Sequence, residues 1–565
     1  MNHHLSLRNK IIIMISVMAS LFLVALDQTI ISTALGRIVE DFDAFSSLSW
    51  VVTAYLITTT ITTPIAGKLS DMFGRRLLLL IGVTIFGVGS LFSGMSGDIT
   101  QLIVWRAVQG IGGGIITANA FTIIGDLFAA RERGKWQGMI GAVFGVSSVV
   151  GPLLGGFLTE SHNIFGLMTD WRWTFYINVP IAIAAFTVIA IYCPSLKHEK
   201  KPRVDYIGAS LLAVALATLV LAVDNTDKIF ADLLTSTGMS LETLRLIMAA
   251  IVVAATTAFI FVERRAKEPI LDLAFFKNKN FLILSGIAAF VGAAMLGSIM
   301  YLTQFNQQVY GASPTTSGLM LLPMIAGLMA VSITTGQLVS RFGKYKRFMV
   351  GGFIVATIAI GALITLTPTS NFIQEAIIIF FVGAGIGAAM PLMNIAIQNE
   401  FEQKDLGIAT SSSQLFRGLG STIGVAVFGS MLTLGISNHL GDMSKDAYIQ
   451  TLRQSPAASQ IVSNPNDTNT LLILNMPDTK AQINDGFTAS MAKVDVPVPV
   501  KDKLQQDFTA KQNDYSDKLV NAFSKSLHTI FVVTSSMMLL ALILAITLKE
   551  RPLRMAKPTE TPGEM

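Results

Sequence analysis

The sequence predicts an all-α polytopic membrane protein, and its composition and segment pattern support this fold class. Of its 565 residues, 52% are apolar and 14% are charged, whereas a soluble domain is about 45–50% apolar and about 25% charged. Apolar segments of about 20 residues, long enough to cross a bilayer core of about 30 Å, recur along the chain. The period-two alternation of a membrane β-barrel is absent, and a single cysteine, Cys193, excludes a disulfide scaffold.

Fourteen segments are predicted to span the membrane. The first follows Arg8 and Lys10 and continues past Asp27, so it is interpreted as a retained helix and not as a signal peptide. The predicted spans are residues 11–34, 49–67, 77–96, 101–125, 137–159, 173–193, 206–223, 246–262, 281–302, 316–338, 347–367, 374–397, 408–435 and 527–548.

Positive charge is concentrated in every second short loop. The loops with at least three Lys or Arg are 68–76, 126–136, 194–205, 263–280 and 339–347. Because short loops rich in Lys and Arg stay in the cytoplasm, these loops and both termini are predicted to be cytoplasmic, in a protein of the cell (plasma or inner) membrane.

One long polar segment, 436–526, mixes acidic and basic residues, so its charge does not place it. The even number of spans puts it outside the cell. Within it, residues 502–526 carry apolar side chains near helical spacing, which favours an amphipathic helix that leads into the last span. A cap that docks a partner protein is the alternative.

The chain contains an internal repeat. Residues 67–75 align with 336–344, and five further residues match without a gap. These are Gly110, Gly112, Gly114, Phe128 and Gly134, which fall on Gly383, Gly385, Gly387, Phe401 and Gly407. The repeat maps helices 2–5 onto helices 10–13, as expected for two six-helix halves with helices 7 and 8 inserted between them. Parallel repeats of this kind are typical of transporters, which bind substrate between the halves.

The domain boundaries follow from this repeat. Residues 1–195 are predicted to form an N-terminal six-helix bundle, and 196–268 the two inserted helices with their linkers. Residues 269–565 are predicted to form a C-terminal six-helix bundle that includes the extracellular loop 436–526.

Several motifs lie at defined places in these helices. They are Asp27 in Leu26-Asp27-Gln28-Thr29-Ile30-Ile31, the stretch from Gly67 to Arg76, Arg106 with Gln109 and Gly110, the helix 5 group Gly145, Gly151, Pro152, Gly155 and Gly156, Trp171-Arg172-Trp173 with Phe175, Asn178 and Pro180, and Phe416-Arg417-Gly418-Leu419-Gly420. Together they resemble the major facilitator superfamily, and specifically its fourteen-helix drug:proton antiporter branch. The resemblance covers nearly the whole chain. It departs at Thr303, where the family often has proline, and in the unusually polar loop 224–245.

The resemblance implies a major facilitator fold and a proton-coupled exporter of amphipathic or cationic small molecules that works by alternating access. Asp27 is the first candidate for proton coupling, because burial disfavours the charged form of a carboxyl group. By resemblance, Arg106 belongs to the same function. The alternatives are that Asp27 only caps structure at the outer interface and that Arg106 snorkels to the membrane surface.

A cytoplasmic turn is predicted to act as a conformational latch. Asp71 can accept hydrogen bonds from a helix N-terminus or an arginine, and the resemblance implies that such a latch stabilises the outward-facing state. The alternative is that these loop charges only set orientation. The latch candidates are Gly67, Asp71, Gly74, Arg75, Arg76, Asp126, Arg131 and Arg417. Asp126 and Arg131 are expected to form a second pair, and Arg417 to lock one conformation through a helix end or an acid.

Helix 5 and a few polar side chains are the remaining candidates. Gly145, Gly151, Pro152, Gly155 and Gly156 are interpreted as an exporter motif, since small residues allow helices to approach closely, although packing alone would also explain them. The substrate-cavity candidates are Gln109, Asn119, Tyr301, Gln304, Gln307 and Asn394. Each of these could instead bond a neighbouring helix.

The sequence indicates a transporter and not an enzyme. Gly110-Ile111-Gly112-Gly113-Gly114 lies inside an apolar span and not after a strand, so it is not interpreted as a dinucleotide site. No nucleotide-binding motif, metal-ligand spacing or catalytic constellation is found. Together with the resemblance, which implies proton coupling, this makes a proton gradient the expected energy source, without a cofactor. The expected partners are a small-molecule substrate and the lipid bilayer, with no nucleic acid, for a protein that acts as a monomer. An exporter of an endogenous lipid, siderophore or metabolite, and a non-transporting membrane scaffold, are the alternatives.

Overall fold

The structure is a computed structural model that describes residues 6–42, 48–129, 132–159, 163–164, 166–193, 205–223, 226–312, 314–402, 405–454, 465–492 and 497–553. Within these ranges lie fourteen helices that correspond to the fourteen predicted spans. They are α1 Leu7–Phe42, α2 Leu48–Phe73, α3 Arg75–Gly94, α4 Ile99–Leu127, α5 Arg133–Thr159, α6 Asn178–Tyr192, α7 Tyr206–Val223, α8 Leu241–Glu263, α9 Lys279–Gln308, α10 Leu322–Phe342, α11 Lys346–Ala362, α12 Phe372–Glu400, α13 Leu406–Leu440 and α14 Val498–Thr547.

Short elements connect or extend these helices. The short α-helices are Trp173–Tyr176, Thr226–Ile229, Ala231–Thr237, Pro314–Met320, Ala447–Gln454, Thr468–Leu474 and Pro477–Ala492, and the 3₁₀ turns are Leu273–Lys277, Leu363–Thr365 and Met443–Lys445. One antiparallel pair of two-residue strands, Asn163–Ile164 and Leu167–Met168, turns at Gly166, which has a φ of 86°. The predicted all-α class is confirmed apart from this small hairpin.

The second helix is the least obvious membrane span. Thirteen helices of the described chain are long and apolar enough to cross a membrane, and α2 is not among them. It has 26 residues and six threonines, and Thr59 Oγ1 donates to the carbonyl oxygen of Gly110 at 3.0 Å. Because threonine hydroxyls can bond to a neighbouring helix instead of meeting lipid, α2 fits inside the bundle as the fourteenth long helix.

The helices pack as two similar sets. In the first set α4 packs against α2 and α3, and α1 packs against α5; in the second set α12 packs against α10 and α11, and α9 packs against α13. The sixth helix of each set, α6 or α14, contacts the first and third helices of its own set. Equivalent helices are eight apart along the chain, as the internal repeat predicts.

The two inserted helices pack mainly against each other, and α7 also contacts α2. Both expose large apolar side chains, for example Ile207 and Leu246, as expected for helices that face lipid. The predicted domain boundaries at 195 and 268 stay a prediction.

The last helix extends far beyond the membrane. Its 50 residues correspond to about 75 Å at 1.5 Å per residue, whereas the bilayer core is about 30 Å thick. Residues 498–526 of α14 and the three short helices within 447–492 form a unit that we call the cap. Its core includes Phe508, whose ring stacks on Phe487 with centroids 4.0 Å apart, and Tyr448, which accepts from Gln512 at 2.9 Å. An amphipathic helix therefore does lead into the last span.

Two ends of the bundle can be distinguished. The cap end carries the cap, and the opposite end, which we call the terminal end, is where α1 begins and α14 ends. At the terminal end Asn280, at the start of α9, donates to the carbonyl oxygen of Lys549 at 2.9 Å. The amide of Tyr345, which precedes α11, donates to Glu550 at 2.9 Å. The start of each of these helices thus lies beside the end of α14.

Candidate functional site

A buried ion pair joins α1 to α4. Arg106 Nη1 donates to Asp27 Oδ2 at 2.5 Å and to Gln109 Oε1 at 2.7 Å. Gln109 Nε2 in turn donates to Asp27 Oδ1 at 2.8 Å. The three residues are at most 1% exposed. One helical turn separates Arg106 from Gln109, so both side chains reach the same carboxylate.

Neighbouring residues complete this site. Asn178 Nδ2 donates to Asp27 Oδ1 at 3.3 Å and to Ser90 Oγ at 3.0 Å. Arg106 also donates through Nε to the Val51 carbonyl at 3.3 Å, and its guanidinium lies 4.4 Å from the ring centroid of Tyr55. A buried ion pair is stable only when its remaining donors and acceptors are also bonded, and this network provides those bonds from α2, α3, α4 and α6.

The pair lies toward the cap end of the bundle. Arg106 is about 10 Å along α4 from its start at Ile99, at 1.5 Å per residue. The predicted residues Asp27 and Arg106 are thus brought together, and Asp27 is enclosed by protein. Its role in proton coupling stays a prediction. Ser90 was not identified from the sequence, where nothing distinguishes it from other serines in apolar spans.

Two small cavities lie between the two helix sets. The first is lined by Phe121, Gln137, Ile140, Gly141, Leu328, Ser332, Gly387, Met390, Pro391 and Asn394. The second is lined by Phe144, Gly145, Ser148, Met295, Ile299, Leu321, Met324, Ile325 and Leu328. Their linings combine aromatic rings, methionines and a few amides, and they share Leu328.

Of the predicted cavity residues, Asn394 lines the first cavity. Gln109 belongs to the ion-pair site. Asn119 Nδ2 donates to the Ile115 carbonyl of its own helix at 2.8 Å, and Tyr301 donates to the Val425 carbonyl at 3.2 Å. These two side chains bond helix backbone in this conformation.

Gln304 and Gln307 are half-buried near the cap-end terminus of α9. Neither lines the two cavities described above. Gln137, by contrast, lines the first cavity but was not identified from the sequence, because it stands at the predicted edge of its span. Contact of any of these side chains with substrate stays a prediction.

At the terminal end, Asp71 joins the two helix sets. Its Oδ1 accepts from the backbone N–H of Gly407 at 3.2 Å, and its Oδ2 accepts from that of Ile408 at 3.0 Å. These are free N–H groups at the start of α13, where the helix dipole favours a negative charge. Arg75 pairs with Asp71 and donates through Nε to Asp126 at 2.8 Å.

The rest of the turn supports this contact. Gly67 faces Ser411 so closely that a Cβ would lie 2.1 Å from Ser411 Oγ. Gly74 has a φ of 95°, a conformation that glycine adopts without strain. Arg76 donates to the Ala190 carbonyl at 2.5 Å. The predicted latch residues Gly67, Asp71, Gly74, Arg75 and Asp126 therefore lie around one contact, whereas Arg76 bonds α6. Arg131 lies outside the described residues, so its predicted pair with Asp126 stays a prediction.

Besides the contact between α2 and α13, the two helix sets meet along α5. A Cβ on Gly134 would lie 2.5 Å from the carbonyl oxygen of Gly336, and one on Gly145 would lie 3.0 Å from Ile325, both in α10. A Cβ on Gly151 would lie 2.0 Å from Thr29 Oγ1 of α1. Small residues thus let α5 approach α1 and α10 at different heights.

The rest of the helix 5 motif lies farther along α5. Gly155 is buried and Gly156 is half-buried, and both carbonyl oxygens accept from Thr159. Pro152 is within α5, and its side chain lies outside the described part of the structure. Arg417 of α13 pairs with no carboxylate or helix end among the described residues, so its predicted locking role stays a prediction.

Two six-helix sets around central cavities, tied together by charged contacts at one end, define a polytopic membrane transporter. The chain belongs to the Major Facilitator Superfamily, whose family model matches residues 17–425. No group of three or more His, Cys, Asp or Glu in the described ranges is placed to hold a metal ion.

Curated relatives extend this comparison. The chain is 35% identical to the multidrug transporter protein MdtP of Bacillus subtilis (strain 168) over 483 residues, which cover 84% of this chain and 85% of that protein. It is 36% identical to multidrug resistance protein 3 of the same organism over 432 residues, 76% of this chain and 81% of that protein. Among solved structures, the proton:xylose symporter XylE matches with a TM-score of 0.55 at 16% identity, over 76% of this chain and 90% of that one. The fold is thereby the major facilitator fold.

Proposed function

We propose that this protein is a secondary active exporter that exchanges protons for amphipathic or cationic small molecules by alternating access. Two relatives with more than 30% identity over most of the chain are named as multidrug proteins. Helix 5 carries the exporter motif, and the cavities between the sets have the apolar and methionine-containing linings that suit varied ligands. The protein acts in the cell membrane, with the terminal end in the cytoplasm, where the loops rich in Lys and Arg lie.

The observation that carries the proposal is the buried pair of Asp27 and Arg106. As a carboxylate, Asp27 accepts from Arg106, Gln109 and Asn178. A proton on Asp27 removes the charge that pairs with Arg106 and converts an acceptor into a donor, so the network has to rearrange. Proton uptake therefore favours a different arrangement of α1 relative to α4 and α6, which is the change that a proton-driven cycle needs.

The latch supplies the second half of the cycle. While Asp71 caps α13, the two sets stay together at the terminal end, so the cavities are closed to the cytoplasm. Protonation from outside releases the substrate there, and the latch then opens so that Asp27 loses its proton inside and substrate binds again.

The test is Asp27→Asn in proteoliposomes with an imposed pH gradient. Export of ethidium, a cationic dye, and of N-phenyl-1-naphthylamine, a neutral dye, is measured by fluorescence. We expect pH-driven export of both dyes to fall to the level of empty liposomes, while exchange without a gradient continues. Asp98→Asn is the matched control, because Asp98 only caps α4 by accepting from the amide of Gln101. Normal gradient-driven export by the Asp27 variant would overturn the proposal.

A further inference from the structure

Arg417 places a positive charge near the middle of the membrane. It lies about 17 Å along α13 from its start at Leu406, at 1.5 Å per residue. Its side chain crosses toward the first helix set, where the guanidinium carbon is 5.8 Å from the ring centroid of Phe121 and 5.9 Å from that of Phe144. Its backbone carbonyl faces Gly292 of α9.

No acidic side chain in the described part of the chain balances this charge. The one hydrogen bond that Arg417 makes there is to the sulfur of Met390, at 3.8 Å. By contrast, Arg106 pairs with Asp27, and Arg75 pairs with both Asp71 and Asp126. Arg417 is half-buried. Its guanidinium carries five N–H donors, and a charge partly withdrawn from water is costly without a partner, so Arg417 is suited to an anion that arrives from outside the chain.

The two cavities lie beside this guanidinium. Phe121 and Met390, which contact Arg417, line the first cavity, and Phe144 lines the second. Neither lining includes an acidic residue. The first also contains Gln137, which is 2% exposed and whose two amide atoms bond no group in the described chain. A buried amide without a partner is unusual and is a second sign that a polar ligand group belongs in this cavity.

We propose that the first cavity, beside Arg417, binds an anionic group carried on an apolar body. The guanidinium of Arg417 and the amide N–H of Gln137 donate to the anion, while aromatic and methionine side chains contact the apolar part. This inference rests on the proposed export function and adds one class to its substrates, amphiphiles with an acidic group such as a carboxylate or sulfonate. An anionic lipid headgroup presents the same chemistry.

The test compares two probes that share one ring system. The anionic 1-anilinonaphthalene-8-sulfonate and the neutral N-phenyl-1-naphthylamine are titrated, without any gradient, into the full-length protein in phosphatidylcholine nanodiscs, with empty nanodiscs subtracted. A hydrogen bond to a charged group is about twice as strong as a neutral one. We therefore expect Arg417→Gln to weaken binding of the anionic probe about tenfold or more and that of the neutral probe less than twofold. Arg417→Lys keeps the charge without the planar guanidinium, so its affinity for the anionic probe should lie between those of the wild-type protein and Arg417→Gln.

Two further variants make the result decisive. Gln137→Leu removes the amide at similar side-chain volume and should weaken binding of the anionic probe severalfold. Arg265→Gln removes an exposed cation and should change the binding of neither probe. Equal weakening of both probes by Arg417→Gln would indicate a purely structural role, and an unchanged anionic affinity would remove the site; either result overturns the inference.

Lipid and solute ligands are distinguished by adding phosphatidylglycerol to the nanodiscs. If the lipid headgroup is the ligand, phosphatidylglycerol lowers the affinity of the wild-type protein for the anionic probe and leaves that of Arg417→Gln unchanged. If the ligand is a free solute, phosphatidylglycerol lowers the probe affinities of the two proteins equally or changes neither affinity. Because binding is measured without a gradient, failure here leaves pH-driven export of the neutral dye, and with it the proposed function, intact.

Discussion

Asp71 is the carboxylate whose loss should open the terminal end. Two of its hydrogen bonds cross between the helix sets, to the amides of Gly407 and Ile408, whereas its pair with Arg75 stays within one set. Asp71→Asn removes the charge but keeps one acceptor oxygen. A hydrogen bond to a charged group contributes about 1.5–3 kcal/mol, and a charge at a helix N-terminus about 0.3–1 kcal/mol. The closed state should therefore lose about 2–4 kcal/mol relative to the open state, roughly a 30-fold to several hundred-fold shift in their ratio.

The shift can be measured by cysteine alkylation. Cys193 is replaced by serine, and Ser411→Cys places a thiol in the contact between α13 and Gly67, where Ser411 is 1% exposed. A thiol that reacts only when the terminal end opens is alkylated at a rate proportional to the open population, so we expect Asp71→Asn to raise the rate at least 30-fold. Asp272→Asn is the control, because Asp272 caps only its own 3₁₀ turn. A change of less than threefold for Asp71→Asn would refute this role of the carboxylate.

Two further predictions concern the contact between α5 and α10 and the cap. Gly336→Ala places a methyl group 2.2 Å from a backbone carbonyl of α5, an overpacking that costs about 1–3 kcal/mol, so dye export should fall severalfold. Gly351→Ala, whose methyl group meets no atom within 4 Å, is the control and should leave dye export unchanged. Equal export rates for the two variants would contradict a tight contact between α5 and α10. Phe508→Ala removes a ring that is 3% exposed and should destabilise the cap by about 3–5 kcal/mol. Faster hydrogen exchange in the three short cap helices would reveal this loss, with the half-exposed Leu504→Ala as control; unchanged exchange would argue against a shared core.

The membrane helices could be predicted from hydropathy, but their ends could not. The last span was predicted as 527–548, whereas α14 begins at Val498. Hydropathy marks only the part of a helix that lies in lipid, and the first half of α14 is stabilised by packing in the cap. The first helix likewise runs from Leu7 to Phe42, beyond the predicted 11–34 at both ends.

The site residues were predictable singly and not as contacts. Asp27 and Arg106 each stand out as a charge within an apolar segment, but 79 residues separate them, and no periodicity links two different helices. Gln109 was predicted to face the cavity, although its one-turn spacing from Arg106 could have placed it with the ion pair. For Arg417, sequence identified a charge at the right depth, but only packing reveals that no acid in the described chain accompanies it.

The buried ion pair of Asp27 and Arg106 lies far from the first cavity in this conformation. Arg106, which pairs with Asp27, and Phe121, which lines the first cavity, are about 22 Å apart along α4 at 1.5 Å per residue. In the proposed cycle, coupling between a proton on Asp27 and a substrate in the cavity therefore has to pass through the helices. Thr29, one half-turn beyond Asp27, donates to the Ser147 carbonyl of α5 at 2.9 Å, and α5 continues from there to Gly141, in the wall of the first cavity. A shift of α1 on protonation would thus move α5 against α10 and reshape the cavity, so that a proton and a substrate can exclude each other without touching.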